Sequence, residues 1–345
     1  MAGEDFLTLP PGDGDEETIV ETFARLNLIG RAPSFVEALR LLCHYAACDV
    51  PVLIAGETGT GKDLAARALH YLSARRGRSF IPVNCGALPQ HLFENELFGH
   101  ERGAFTDAHA AQKGLIAQAE GGTLLLDEVD SLSLQGQVAL LRFLQDGQYR
   151  PLGGDRNRSA NVRVLAASNA DLRARVAAGS FRQDLYFRLD VANIRLPPIR
   201  ERCGDIPLLA RHAARKLAGR YGRAVPEFDR QFLDWLCTRS WPGNVRELEN
   251  IVHRALLLAV NGAIRCPDRP DGGEAASGGA PDFTGGLKAA RERLKRDFDK
   301  RYLTWVMERA RGNVTAAARH AGTERRQLGR LLQRYGIDKE AFRNM

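Results

Sequence analysis

The stretch GETGTGKD, from Gly56 to Asp63, constrains this chain more than any other. It follows the apolar run Val50–Ala55 and opens Lys62–Arg75, where Leu64, Ala65, Ala68, Leu69 and Leu72 recur at helical spacing. A strand, a glycine loop and a helix in that order form the setting a phosphate-binding loop requires. Gly56, Gly59 and Gly61 let the backbone turn its N–H groups inward around phosphates. Glu57, Thr58 and Thr60 complete the loop, the helix N-terminus adds a favourable partial charge, and Lys62 reaches the β and γ phosphates of a nucleotide such as ATP. Asp63 stands where Ser or Thr usually meets Mg²⁺. The competing reading, a glycine turn of a Rossmann-like fold, does not account for Lys62.

GGTLLLDEVD, residues 121 to 130, supplies a second part. An apolar strand there ends in Asp127–Glu128, and the carboxyl edge of a parallel sheet faces the phosphate crevice. Asp127 is expected to hold Mg²⁺ and Glu128 to polarise the attacking water. Phe80–Val83, Thr123–Leu126 and Val162–Ala167 are further compact apolar strands between helices. The expected fold class is therefore α/β, a parallel sheet with helices on both faces. After Pro207 the strands are expected to stop: Leu208–Arg220, Asp229–Cys237 and Val245–Val260 read as an all-helical lid.

Arginines complete the inventory. FRQDLYFR carries Arg182 and Arg188, and WPGNVRELEN carries Arg246. Asn244 and Glu247 have capping-box spacing, which puts Arg246 in a helix's first turn. A cation there opposes the helix dipole and calls for an anionic partner. Taken singly, each arginine also fits a surface salt bridge.

From Lys288 onward there are 16 Lys or Arg against 7 Asp or Glu, an excess larger than the net +7 of the whole chain. A basic tail on a near-neutral body points to an attached nucleic-acid module. In that tail Leu287–Met307 reads as an amphipathic helix. Val314–His320, a turn at Gly322 and Arg325–Tyr335 then read as a helix-turn-helix. Arg325, Arg326, Gln327 and Arg330 lie on its second helix, in reach of phosphates or base edges. A plain helical hairpin is the alternative. Gly329 should weaken that helix by about 1 kcal/mol relative to Ala. Residues 1–27 read as a short flexible arm with a helix near Glu17–Leu26, and 262–286, rich in Gly, Pro and Asp, as a linker.

None of the six cysteines (Cys43, Cys48, Cys85, Cys203, Cys237 and Cys266) forms a Cys-x-x-Cys pair, and small buried thiols are expected rather than a zinc site or disulfides. No apolar run has the length of a membrane span, and the acidic N-terminus lacks the pattern of a signal peptide. A cytoplasmic protein with no membrane partner is expected.

One loop resists a housekeeping reading. In GHERGAFTDA, residues 99 to 108, Phe105 has no apolar neighbour at helical or strand spacing. It is either a buried anchor or an exposed contact.

Together these motifs resemble the bacterial enhancer-binding proteins, the AAA+ ATPases that activate sigma-54 RNA polymerase. The resemblance runs from about Leu28 to the C-terminus: LIGR (28–31), GETGTGKD, FIPVNCGAL (80–88), ELFGHERGAFTDA (96–108), GGTLLLDE, VRVLAASNADL (162–172), FRQDLYFRL, LPPIRER (196–202) and WPGNVRELEN. It implies an AAA+ domain over 28–261, with its lid from about 203, and a Fis-like DNA-binding domain over 287–345. The family usually has an acid after the loop lysine, so Asp63 hardly departs from it. By resemblance Asn84 switches Glu128 between resting and active poses, and Asn169, beside Ser168, senses the nucleotide. Arg182 and Arg188 act as fingers on a neighbouring subunit's nucleotide, and Arg246 is the lid sensor. Such fingers imply assembly from dimers to a hexameric ring. Gly103, Ala104, Phe105, Thr106, Asp107 and Ala108 form the sigma-54 contact, with Asp107 replacing the family's glycine. The implied partners are sigma-54 polymerase holoenzyme, enhancer DNA and other copies of this chain. The layout has no room for a sensory domain, so control by a separate regulatory protein or by expression level is expected, not by phosphorylation of this chain. The alternative is a sigma-70-type DNA-binding regulator that uses nucleotide only for assembly or sensing. Another AAA+ remodeller, such as a helicase loader, would leave the loop and WPGNVREL unexplained.

Overall fold

The computed structural model describes residues 15–89, 92–106, 108–259, 263–264, 299, 302–307, 309–310, 312–323, 325–335 and 337. All of the expected linker except 263–264, most of the 287–307 helix, Cys266, Asp107 and residues 1–14 of the expected arm lie outside these. The chain divides into two compact units, Met1–Arg269 and Pro270–Met345.

The first unit is built on five parallel strands: β1 (Val52–Ala55), β2 (Phe80–Asn84), β3 (Thr123–Asp127), β4 (Arg163–Ser168) and β5 (Ala192–Arg195), in the order β2-β3-β4-β1-β5. The central strands β1, β3 and β4 are short and mostly apolar, as a sheet covered on both faces requires, while β5 at the edge alternates buried and exposed residues. Alternate side chains serve the two faces. Leu124, Leu126 and Val164 join a core with Leu140, Phe143 and Leu185. Leu125, Leu165, Ile54 and Ile194 join the opposite core with Leu39, Leu42 and Leu69. Strand β5 was not anticipated from sequence; its pattern is only four residues long and reads Ala-Asn-Ile-Arg.

Helix α1 (Glu16–Arg25) matches the expected helix near Glu17–Leu26, but it is packed into a core rather than part of a free arm. Asp15 caps it, and its buried Ile19 and Phe23 belong to the second core. Ten residues cannot bury a core alone, but they can extend one, and α1 packs on α2 (Pro33–Ala46). Helix α3 (Lys62–Tyr71) follows the glycine loop, α4 (Leu134–Asp146) starts on a Ser133 cap, and α5 (Gln183–Leu189) packs against α4. The lid holds α6 (Ile206–Tyr221), α7 (Arg230–Cys237) and α8 (Asn244–Leu257) around Trp241, Phe232 and Leu248. It is not wholly helical: Glu227–Phe228 pairs in parallel with Ala263–Ile264. The cysteine expectation also needs correction. Cys85 is buried, Cys43 half-buried, and Cys48, Cys203 and Cys237 exposed.

In the second unit α9 (Val314–His320), capped by Asn313, and α10 (Arg325–Arg334) meet helical residues 302–307. Leu303, Val306, Met307, Ala317, Ala318, Leu328 and Leu332 form their shared core.

Candidate functional site

The sheet order puts β1 between β4 and β5 although the chain leaves β1 for the far strand β2. This reversal opens a crevice at the carboxyl end of β1, where open α/β sheets bind ligands. A cavity of about 240 Å³ lies there, lined by Thr58, Gly59, Thr60, Gly61, Lys62, Asp63, Asp127, Glu128, Asn169 and Arg246. Ten of the predicted nucleotide, metal and catalytic residues are thus brought together from four separate chain segments.

Local structure explains the cradle. Gly59 and Gly61 have φ of +80° and +99°, a region that disfavours side chains. Gly61 caps α3 with no side-chain hydrogen bond, so the first N–H groups of α3 are left for an anion. Lys62 is buried, and its Nζ donates to the carbonyls of Gly56 at 2.7 Å and Glu57 at 3.1 Å. Burial pushes its pKa down, while Asp127, Asp130 and Glu128 push it back up. A cation and carboxylates therefore face one space, which fits a polyphosphate with a divalent metal.

At the end of β3, Asp127 Oδ1 accepts from the N–H of Glu128 at 2.9 Å. Glu128 itself has φ +55°, an uncommon conformation for a residue with a side chain. Asn84 pairs with Asp127 across the sheet, and its Oδ1 accepts from Ala87 N. A Cβ at Gly86 would fall 2.5 Å from Glu128 Oε2 and 3.3 Å from Asn84 Oδ1, so both side chains converge on the bare Gly86 backbone. Ser168 Oγ donates to Asp130 at 2.9 Å and tethers the turn that carries Asn169.

Two predicted features are placed differently from expectation. The Asn244–Glu247 capping box is half formed: Glu247 accepts from Gly243 N at 2.9 Å, but the Asn244 side chain reaches elsewhere. Its Oδ1 accepts from Ile199 N, and its Nδ2 donates to Glu57 and to the Thr58 carbonyl. Glu57 does not turn its carboxylate to the cavity either. Arg200 holds it bidentately at 2.7 and 2.6 Å, and that pair, with Asn244, draws its pKa down to about 2. Arg182 and Arg188 stand away from this cavity: Arg182 pairs with Asp184, and Arg188 donates to the carbonyls of Leu144 and Gln145. Sequence reasoning missed the seam of Glu57, Arg200 and Asn244 because the residues are far apart in the chain. Val245 N donating to the Gly59 carbonyl at 3.0 Å closes it, tying the lid to the phosphate loop.

Residues Gly99–His100 and Gln112–Lys113 form a two-stranded base for the GAFT loop. Above it Gly103 N donates to the Ala108 carbonyl and Ala108 N to that of Phe105. Ala104 is half-buried, Ala108 is buried and Thr106 is exposed. The Phe105 ring is 44% exposed with His100 beside it, so the exposed reading holds rather than that of a buried anchor. Leu152, from the hairpin of Gln148–Tyr149 with Arg158–Ser159, is bonded to Gly99 and Glu101 and braces the loop. On α10, Arg325, Arg326, Gln327 and Arg330 are all exposed, with Gln327 accepting from Thr323.

The Sigma-54 interaction domain model matches residues 28–195, the AAA+ ATPase lid domain 200–278, and the Fis family of bacterial regulatory proteins 296–335. The transcriptional regulatory protein GlrR of Escherichia coli K12 is 40% identical over 316 residues, covering 92% of this chain and 69% of that protein. The chain belongs to the sigma-54-dependent transcriptional regulators. A second member, the DNA-binding transcriptional regulator NtrC of Bradyrhizobium, is 38% identical over 363 residues, covering 98% of this chain and 74% of its own. Among solved structures, NtrX of Brucella abortus in complex with ATP aligns with a TM-score of 0.65 at 30% identity, covering 92% of this chain and 71% of that one. The family thus has an AAA+ P-loop domain, its lid and a Fis-type helix-turn-helix in one chain, as here. Among the described residues no helix is long and apolar enough to cross a membrane.

Proposed function

We propose that this regulator binds enhancer DNA through α10 and hydrolyses ATP in a cytoplasmic ring to drive the sigma-54 closed complex open. In this reading Lys62 and the α3 N-terminus hold the phosphates. Asp127 would hold Mg²⁺, which neutralises charge on the transferred phosphoryl group when bound. Glu128 orients water, Asn84 sets its pose, and Asn169 and Arg246 report the nucleotide's state. Arg182 and Arg188 reach a neighbour's site, because no contact directs them to their own. Gly103 to Ala108 carry the stroke to sigma-54.

The observation that carries the proposal is Phe105. An aromatic ring held out in solvent at the tip of a braced loop loses burial energy unless a partner covers it. This favours remodelling of sigma-54 over the sigma-70-type reading, which has no use for the loop. Open-complex formation with sigma-54 holoenzyme tests it. Wild type should require hydrolysable ATP, and Lys62→Ala and Glu128→Ala should form none. Open complexes with either variant would overturn the mechanism. Unchanged sigma-54 binding by Thr106→Ala and Phe105→Ala would remove the loop as the contact.

A further inference from the structure

The nucleotide cavity also has apolar walls, supplied by Leu28, Ile29, Phe35 and Leu209. One charged residue, Arg202, also lines that cavity although it is buried to 4% exposure. Its guanidinium carbon stacks 3.9 Å from the centre of the Phe35 ring. Its Nη2 donates to the Ile29 carbonyl at 3.2 Å. Asp205 is its nearest acid, at 3.8 Å from Nε, too far for a hydrogen bond. The Asp205 carboxylate is instead taken up by the N–H groups of Arg31 at 2.7 Å and Ala32 at 3.1 Å. Arg202 Nε and Nη1 are consequently left buried without a partner. Burial pushes this guanidinium's pKa down to about 10, so it remains charged at neutral pH.

Buried charged donors without acceptors are costly, and each calls for an explanation. Here the missing acceptor can arrive with a ligand. The apolar walls suit the flat face of a purine, and the purine brings ring nitrogens with free lone pairs. A donor-only guanidinium beside a carbonyl acceptor matches the edge of adenine, where a ring nitrogen acceptor adjoins the exocyclic amine donor. In guanine N1 carries a proton, which would place donor against donor, and next to N7 a carbonyl replaces the amine, which would place acceptor against the Ile29 carbonyl.

We propose that Arg202 is the base-reading residue of this site, donating to a ring nitrogen of the adenine with the Ile29 carbonyl beside it. The assignment rests on the cavity binding a nucleotide, and it adds a specificity role distinct from that of the phosphate cradle.

Calorimetric binding to the full chain separates the two. The probes are ATP, inorganic tripolyphosphate, GTP, and the 1-, 3- and 7-deaza analogues of ATP. Arg202→Met should weaken ATP by about 10- to 100-fold, as expected for loss of a charge-assisted hydrogen bond, with tripolyphosphate unchanged and the preference for ATP over GTP reduced. One deaza analogue should lose a similar factor on the wild type and nothing further on the variant. Equal weakening of ATP and tripolyphosphate would make Arg202 a structural residue only and overturn the proposal. So would three deaza analogues that all bind wild type as ATP does, a result that stands even if Arg202→Met fails to fold. Wild type that binds neither ATP nor tripolyphosphate would overturn the nucleotide reading itself. Tight tripolyphosphate binding with no base effect would overturn Arg202 alone.

Discussion

Glu57 sits in the phosphate loop, yet its carboxylate serves the lid. Both members of the Glu57–Arg200 pair are more than a third exposed, so solvent screens the interaction despite its bidentate geometry. Glu57→Gln should therefore cost only about 0.5–1 kcal/mol of stability at neutral pH. The sign of its pH dependence follows from the depressed pKa. The contribution is complete above the ordinary glutamate value of 4.5 and fades as the pH falls toward about 2. Urea melts of wild type and variant between neutral pH and pH 3 should converge in acid. A gap that widened on acidification would show that the pair is not the source. The same substitution loosens the lid at the phosphate loop, so ATPase should fall more than stability does.

Helix α8 is seated by one side chain. Asn244 is fully buried, has φ +50°, and bonds to Ile199, Thr58 and Glu57. Asn tolerates that backbone conformation better than most residues. Asn244→Ala strains it and leaves the Ile199 N–H buried without its partner, for a loss of about 2–4 kcal/mol by thermal melt. Helix α10 offers the opposite case. Gly329 does not have positive φ, and a Cβ there would meet nothing within 4 Å. Gly329→Ala should stabilise the C-terminal unit by about 1 kcal/mol, while DNA binding persists. A destabilised variant would mean that the glycine has a packing role. These elements also show what a sequence can reveal. GETGTGKD and LLLDE are contiguous, and each carries its own strand and turn context, so the cradle and its acids are readable in one dimension. Asn244 and Glu247 have the spacing of a cap, but the competing bonds to Asn244 come from segments 45 and 187 residues away. Helix α1 is legible in the sequence but its docking is not, because its apolar residues complete a core only against α2. Cys48 and Cys237 have apolar neighbours in sequence, yet both face solvent, as does Cys203 between Arg202 and Gly204.

At the scale of the molecule, one copy holds a phosphate cradle, and neither Arg182 nor Arg188 lines it. Arg182 is paired with Asp184 and stands with Phe187, which is 63% exposed, on an open face. If such fingers act in trans, each site is made of two chains, and two different lesions can complement each other. Lys62→Ala destroys a cavity but leaves its fingers; Arg182→Ala leaves a cavity but removes a finger. Alone, each should hydrolyse ATP at a small fraction of the wild-type rate, because every interface carries the same defect. Mixed in equal amounts and allowed to exchange, about a quarter of the interfaces join an intact cavity to an intact finger if assembly is random and cyclic. ATPase should recover to about that fraction at concentrations that support assembly, and the recovery should vanish on dilution. If Arg182 acted within its own chain, no pairing could repair an Arg182→Ala cavity, and the mixture would stay as inactive as its parts. Recovery on mixing thus requires the charge that stabilises the transferred phosphoryl group to come from a second copy. This would also make hydrolysis, and with it the stroke of the Phe105 loop, dependent on assembly.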